Sequence, residues 1–307
     1  MQKKNTLAKD IKRDFPLYLM MLPAVIYVFI NNYLPMSGII LAFEKYTLQG
    51  GIWGSEKVGL ANFEFLLKNG NIGSILRNTV GYNVLFLVVN LIVSVIISIL
   101  ITEIQSKKFR KMSQSIILFP YVLSIIIISY MVRCFLDPEN GLLNHLLIAL
   151  GHDPVSWYSE SKYWPFILTF VNTWKGIGYG CLVYIATILG IDKSLYEAAA
   201  LDGASKFQQI RHITLPFLKP TIITMLLISM GRIFSSDFGL FYQVPQNSGM
   251  LMDVTQTIDT FVYRGLSTAG NMGMSAAAGL FQSLAGFILL LVFNSITNKV
   301  SKENALF

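Results

Sequence analysis

Hydrophobic residues gather into six long blocks separated by shorter polar connections. The blocks run roughly over 16–43, 76–102, 114–136, 163–190, 215–239 and 275–297. Each reaches the ~20 residues that an apolar helix needs to cross a hydrocarbon core. The pattern predicts an all-α polytopic membrane protein with six transmembrane helices. The first block follows Lys3, Lys4, Lys9, Lys12 and Arg13. It is longer than the ~7–15 apolar residues of a signal peptide and lacks a small-residue cleavage site, so it reads as a retained anchor.

The fourth and fifth blocks are joined by a different kind of text: Tyr196-Glu197-Ala198-Ala199-Ala200-Leu201-Asp202-Gly203-Ala204, running on to His212-Ile213-Thr214-Leu215-Pro216. The alanine run favours helix, because Ala loses no side-chain entropy on folding. Gly203 can take a positive φ and turn the chain. Residues 207–212 suit a second short helix, which Asp202 is placed to cap, and Pro216 limits how that helix joins the fifth block. Two short helices with a bend, exposed between two spans, are expected.

Composition agrees with a bilayer as solvent. Of 307 residues, 53% are hydrophobic and 13% charged, and mean hydropathy is +0.56; a soluble chain carries roughly a quarter charged residues. The net charge of +7 is explained by topology, since Lys and Arg collect on the cytoplasmic side of membrane proteins. Lys107, Lys108, Arg110 and Lys111 lie between blocks two and three, Lys193, Lys206 and Arg211 between four and five, and Lys299 and Lys302 at the end. The opposite connections carry fewer: Lys162 against Asp137, Glu139, Asp153 and Glu160, and Arg264 over 239–271. The first outer loop is mixed, with Lys45, Lys57, Lys68 and Arg77 against Glu44, Glu56 and Glu64. Both termini and the Glu197 loop are therefore placed in the cytoplasm, and nucleic acid is not an expected partner. The outer loops 44–75, 137–162 and 240–270 have room for short helices over the bundle. Cys134 and Cys181 sit in apolar text, and His145, His152 and His212 are scattered. No metal site follows from them.

Ionisable residues inside spans are costly and mark function by default. Four occur: Arg133, Lys175, Arg232 and Asp237. Arg133 stands four residues before Asp137, which is its expected partner. Arg232 and Asp237 are about 140° apart on a helix and do not pair along one face. Lys175 lies beside Trp174 and one turn from Tyr179; an aromatic next to a donor suits stacking on and orienting a sugar, and a salt bridge to another helix suits it equally. Gly176-Ile177-Gly178-Tyr179-Gly180 resembles a potassium-channel filter only superficially, because it lies inside a continuous span. Gly176 and Gly180 are expected to permit close packing, as are Ala276, Ala277, Ala278 and Gly279. Phosphate-loop and hydrolase motifs are missing from the sequence, so no enzymatic activity and no bound cofactor are expected of this chain.

The Glu-Ala-Ala, Asp-Gly-Ala and Ile-Thr-Leu-Pro elements around Glu197 resemble the cytoplasmic coupling loop of ABC importer permeases. Tyr33-Leu34-Pro35-Met36, Leu41-Ala42-Phe43, Val58-Gly59-Leu60-Ala61-Asn62-Phe63, Arg77-Asn78-Thr79, Phe119-Pro120-Tyr121, Asp259-Thr260-Phe261-Val262-Tyr263-Arg264-Gly265 and Ala277-Ala278-Gly279-Leu280-Phe281 are similar to the LplB-type sugar permeases, within the MalF-like group. The family often has another residue where Lys175 stands. The resemblance implies an N-terminal region over 1–75 (tail, first span and outer loop), a translocating domain 76–297 with its coupling loop at 194–216, and a cytoplasmic tail 298–307. It implies import of oligosaccharides across a bacterial plasma membrane with four kinds of partner: a second permease, two ATPase subunits carrying ATP and Mg, an extracytoplasmic sugar-binding protein (lipid-anchored), and the sugar. Glu197, Ala198, Ala199, Asp202, Gly203 and Ala204 would meet the ATPase; Trp174, Lys175, Tyr179, Arg232 and Asp237 would line the sugar pathway. The rival class is an ion-coupled secondary transporter, for which Asp237 is the one fitting buried acid and no internal symmetry is visible.

Overall fold

The computed structural model describes residues 4–64 and 72–300; Lys3, Lys68 and Lys302 lie outside the described residues. Four stretches are each long and apolar enough to cross a membrane: Arg13–Phe43, Ile72–Thr102, Lys206–Met230 and Met272–Lys299. Two bent helix pairs raise the number to as many as six. The helices are α1 Lys4–Val28, α2 Ile72–Thr102, α3 Lys107–Val122, α4 Ile125–Leu136, α5 Leu142–Ala149, α6 Trp164–Leu189, α7 Lys193–Leu201, α8 Lys206–Gln209, α9 Leu215–Met230, α10 Phe238–Gln243, α11 Met252–Thr255, α12 Ile258–Ala269 and α13 Met272–Val300. A two-stranded antiparallel hairpin, β1 Glu44–Lys45 with β2 Glu56–Lys57, pairs Glu44 with Lys57.

The bundle is built on α2 and α6. Trp164, Leu168 and Val171 are buried on one face of the first half of α6, and Ile177, Cys181, Tyr184 and Ile188 on a second face of its other half, so the helix is covered by protein on more than one side. Small residues let the backbones approach: the Ser98 hydroxyl donates to the carbonyl of Ser94 (2.6 Å) and to that of Cys181 on the facing helix (3.2 Å). A Cβ at Gly180 would stand 2.7 Å from Ser94 Oγ. On α6 the glycine packed most closely against backbone is Gly178, whose missing Cβ is replaced by the Ile117 carbonyl of α3, whereas Gly176 faces open space. Gly178→Val should therefore destabilise the fold by about 1–3 kcal/mol through overpacking, read as loss of monodisperse protein and a lower melting temperature; Gly176→Ala should leave both unchanged. In α13, Ala277 and Ala278 are fully buried, as their size suggested.

Two expected spans are interrupted. The third is split into α3 and α4, which meet at 95°. Pro120 removes a helical donor near the end of α3, Leu123 and Ser124 turn extended, and the Ser124 hydroxyl caps α4. The fifth ends at Met230; the chain passes through 231–236 before α10 begins. The outer connections carry α5 and α10 to α12, as their length suggested. Asn144, 1% exposed, ties the outer loop together: its amide donates to the carbonyls of Pro138 and Val155, and its oxygen accepts from Val155 N and Trp157 Nε1. The stretch from Phe15 to Ile30, by contrast, leaves its large apolar side chains exposed.

Candidate coupling element and translocation pathway

The Glu197 segment folds as two short helices joined by a glycine bend. Asp192 begins α7, accepting from Ser194 N at 3.0 Å. That bond holds the Asp192 carboxyl below its usual range. The cap is thus intact at neutral pH and is lost as pH falls through the depressed value. At the far end Ala204 N donates to Ala199 O (2.9 Å) and Gly203 N to Ala200 O (3.1 Å), with Gly203 at φ +78°. These paired bonds satisfy the last carbonyls of α7 and require a left-handed residue between them. Asp202 does not cap α8; it closes α7, three residues too early for the second helix. Ser205 is the cap, in a reciprocal box with Gln208.

A widened π-helical turn, Ile210–Thr214, joins α8 to α9. The chain passes Pro216 without a stop because a proline at the start of a helix forfeits no internal bond. The loop is fastened back on itself by Tyr196 Oη against Thr214 Oγ1 (2.9 Å) and by buried Gln209, whose amide donates to Tyr196 O (3.5 Å). Glu197, Ala198, Asp202 and Gly203 are exposed, Ala199 and Ala204 half-buried. Beside them a notch of about 290 Å³ is lined by Ala199, Gly203, Gln208 and His212. Leu201 is 90% and Phe207 70% exposed. Sequence reasoning missed these two, and their signal was simply an apolar residue in an otherwise polar loop.

The two helix breaks meet in space. A Cβ on Gly239 would lie 2.7 Å from Ile125 Cγ2, at the start of α4, and 3.2 Å from Asp237 Oδ1. At the first break Lys175 Nζ donates to the carbonyls of Leu123 (2.7 Å) and Tyr121 (3.3 Å). The salt bridge to another helix is replaced by backbone: the Lys175 ammonium caps the end of a broken helix. Tyr121 and Tyr179 stack beside it at 5.4 Å. Trp174 turns away and lines an apolar cavity of about 600 Å³ with Val132, Phe166 and Phe170. It therefore does not share a site with Lys175.

At the second break Asn83 donates to the carbonyls of Ile233 (2.9 Å) and Ser235 (3.0 Å), and Gln282 to that of Phe234 (2.9 Å). Asp259 accepts from Ser236 N (2.6 Å), Ser236 Oγ (2.8 Å) and Gln282 Nε2 (3.1 Å). Backbone freed from a helix in lipid must find such partners. Asp237 caps α10 through Leu240 N (3.1 Å) and is exposed, as is Arg232. The two do not pair, in line with their spacing. Arg133 does not pair with Asp137 either. Its guanidinium donates to Gln246 Oε1 (3.1 Å), because Asp137 Oδ1 is taken by the turn amides of Glu139 and Asn140.

Residues 94–302, most of the bundle and the whole Glu197 segment, match the family of binding-protein-dependent transport system inner membrane components. The chain belongs to this family. Its place is accordingly the bacterial plasma membrane, which it crosses several times. Protein LplB of Bacillus subtilis (strain 168) is 31% identical over 293 residues, covering 95% of this chain and 92% of LplB. The polygalacturonan/rhamnogalacturonan transport system permease protein YteP of the same strain is 31% identical over 302 residues, covering 98% and 93%. Among solved structures, a bacterial ABC transporter involved in the import of the acidic polysaccharide alginate contains a chain with a TM-score of 0.87 at 30% identity, covering 96% of this chain and 99% of that one. This transport component thus shares sequence and fold with permeases along nearly its full length.

Proposed function

We propose that this chain is one permease subunit of an ABC importer for oligosaccharides, moved by ATPase subunits docked on Glu197, Ala198, Ala199, Asp202, Gly203 and Ala204. The observation that carries the reading is the α7–α8 foot: capped at each helix, tied to α9, and presenting Leu201 and Phe207 outward. A rigid, partly apolar projection suits docking into a groove of a motor protein. ATP and Mg belong to those ATPases. A second permease completes the pathway, consistent with the exposed apolar face of the first span. A lipid-anchored sugar-binding protein delivers the substrate at the outer face; a related importer has been seen with an alginate pentasaccharide-bound periplasmic protein. Relatives that carry polygalacturonan, rhamnogalacturonan or arabinooligosaccharides support the substrate class.

The 76–297 unit does the translocating. ATP binding closes the ATPases and drives the foot, the bundle opens outward to receive sugar, and hydrolysis returns it. Tyr179, 56% exposed, and Tyr121, 48% exposed, offer ring faces for sugar stacking near the first break, and Asp237 and Arg232, exposed at the second break, offer hydrogen-bonding groups; Lys175 fixes the break that holds Tyr121. Tyr179→Ala should cut uptake about three- to tenfold, the worth of one lost aromatic contact, without changing resting ATPase turnover. Purification of the assembled particle tests the whole reading: a stable complex with an ATPase whose turnover rises with binding protein and oligosaccharide is expected. A chain that purifies with no nucleotide-hydrolysing partner contradicts it.

A further inference from the structure

A second cavity lies on the face that the Lys and Arg asymmetry assigns to the cytoplasm, behind the foot. It measures about 350 Å³, with walls from the ends of α2 and α6 and the starts of α3, α7 and α8. Its walls are of two kinds. Arg110, Lys193 and Lys206 bring three cations against one carboxylate, Glu103, while Ile104 and Leu189 bring apolar surface. Lys206 pairs with Glu103 at 3.0 Å. The side chains of Arg110 and Lys193 make no hydrogen bond or ion pair among the described residues.

Arg110 differs from its neighbours. Lys107, Lys108 and Lys111 are exposed, but Arg110 is half-buried. An arginine set into the wall of this cavity with no protein partner among the described residues is free to take an anion supplied from outside the chain. The helix that carries it starts with basic residues, and also exposes Phe109 (52%) and Met112 (48%). Mixed basic and apolar exposure of this kind suits the boundary between headgroups and acyl chains.

We propose that this cavity is a site for an anionic phospholipid of the cytoplasmic leaflet. Its phosphate sits between Arg110 and Lys193, and its upper acyl chain runs along Ile104 and Leu189. Basic pockets between spans on this side of a membrane bind such headgroups. Free phosphate would use the cations and leave the apolar wall bare, so an amphiphile fits the lining better. Because Lys193 opens α7 and Lys206 opens α8, an occupied site would brace the foot from the membrane side. The inference is independent of which solute the protein carries.

The test is native mass spectrometry of the purified full chain, in its assembled particle, with dioleoyl-phosphatidylglycerol or dioleoyl-phosphatidylcholine added. One phosphatidylglycerol is expected to be retained in preference to phosphatidylcholine, and Arg110→Gln with Lys193→Gln should lower its occupancy by about tenfold. Lys108→Gln, on the exposed side of the same helix, is expected to change nothing and controls for general charge loss; retained particle mass shows that each variant has folded. Equal retention of the two lipids overturns the proposal, as does unchanged occupancy in the double variant. Full displacement by millimolar inorganic phosphate would make this a free-anion site and also overturn it. So would loss of an ATPase subunit with lipid occupancy intact, since the two cations would then serve a protein carboxylate.

Discussion

Gly203→Pro is expected to abolish coupled uptake while leaving the protein inserted in the membrane. Gly203 sits at φ +78° and its N–H bonds to Ala200 O. Proline fixes φ near −65° and has no N–H, so it loses both features at about 3 kcal/mol or more. The end of α7 must then open, and the angle between α7 and α8 is no longer set. An element that transmits force only while rigid should lose roughly a hundredfold in uptake for an energy of this size. ATPase turnover in the same particles should persist but stop responding to sugar. Gly203→Ala separates strain from space. Its Cβ would meet nothing within 4 Å, so only the left-handed φ costs, about 1–2 kcal/mol, and the defect should be milder. Normal uptake by the proline variant would show that the bend carries no force.

Lys175→Met should damage the protein as much through the fold as through transport. The ammonium holds the carbonyls of Leu123 and Tyr121 where α3 stops in mid-bundle. Methionine has nearly the same length and no donor, so both carbonyls would lose their side-chain partner. A hydrogen bond to a charged group contributes about 1.5–3 kcal/mol, which corresponds to a fall of roughly 2–5 °C in melting temperature for a chain of this size. Uptake should fall with it, since Tyr121 and Tyr179 stack against this break. Lys175→Arg should recover some of the stability. An unchanged melting temperature together with a weaker half-saturation for sugar would mean that Lys175 contacts the substrate instead of the backbone.

Much of this architecture could be read from the chain itself, because lipid imposes a length and composition that soluble folds do not. The six apolar blocks coincide with the helical spans to within a few residues, apart from the two breaks and the α3 start at Lys107. Gly203 was legible for a local reason: a turn after an alanine run needs a positive φ. The cap of α8 was misassigned to Asp202 because the length of the turn decides which residue reaches the free amides, and only the fold supplies that length. The breaks at Leu123–Ser124 and 231–236 were not visible. Their stability comes from Lys175, Asn83 and Gln282, which are 52, 150 and 48 residues away from the carbonyls they satisfy. Such long-range partners leave no periodic trace. Lys175 stands out in the sequence as a charge in an apolar span, but its role depends on where a neighbouring helix ends.

A foot that couples must meet a nucleotide-hydrolysing subunit on the cytoplasmic side, and the α7–α8 tip must lie against it. Leu201, 90% exposed at the tip, can report it directly as Leu201→Cys in a chain whose own Cys134 and Cys181 are replaced by serine and alanine. In inverted membrane vesicles a short bifunctional maleimide is expected to cross-link that cysteine to an ATPase subunit, with a yield that changes when ATP is added. Labelling of the same cysteine from outside intact cells by an impermeant maleimide, with no cross-link in the vesicles, would contradict it.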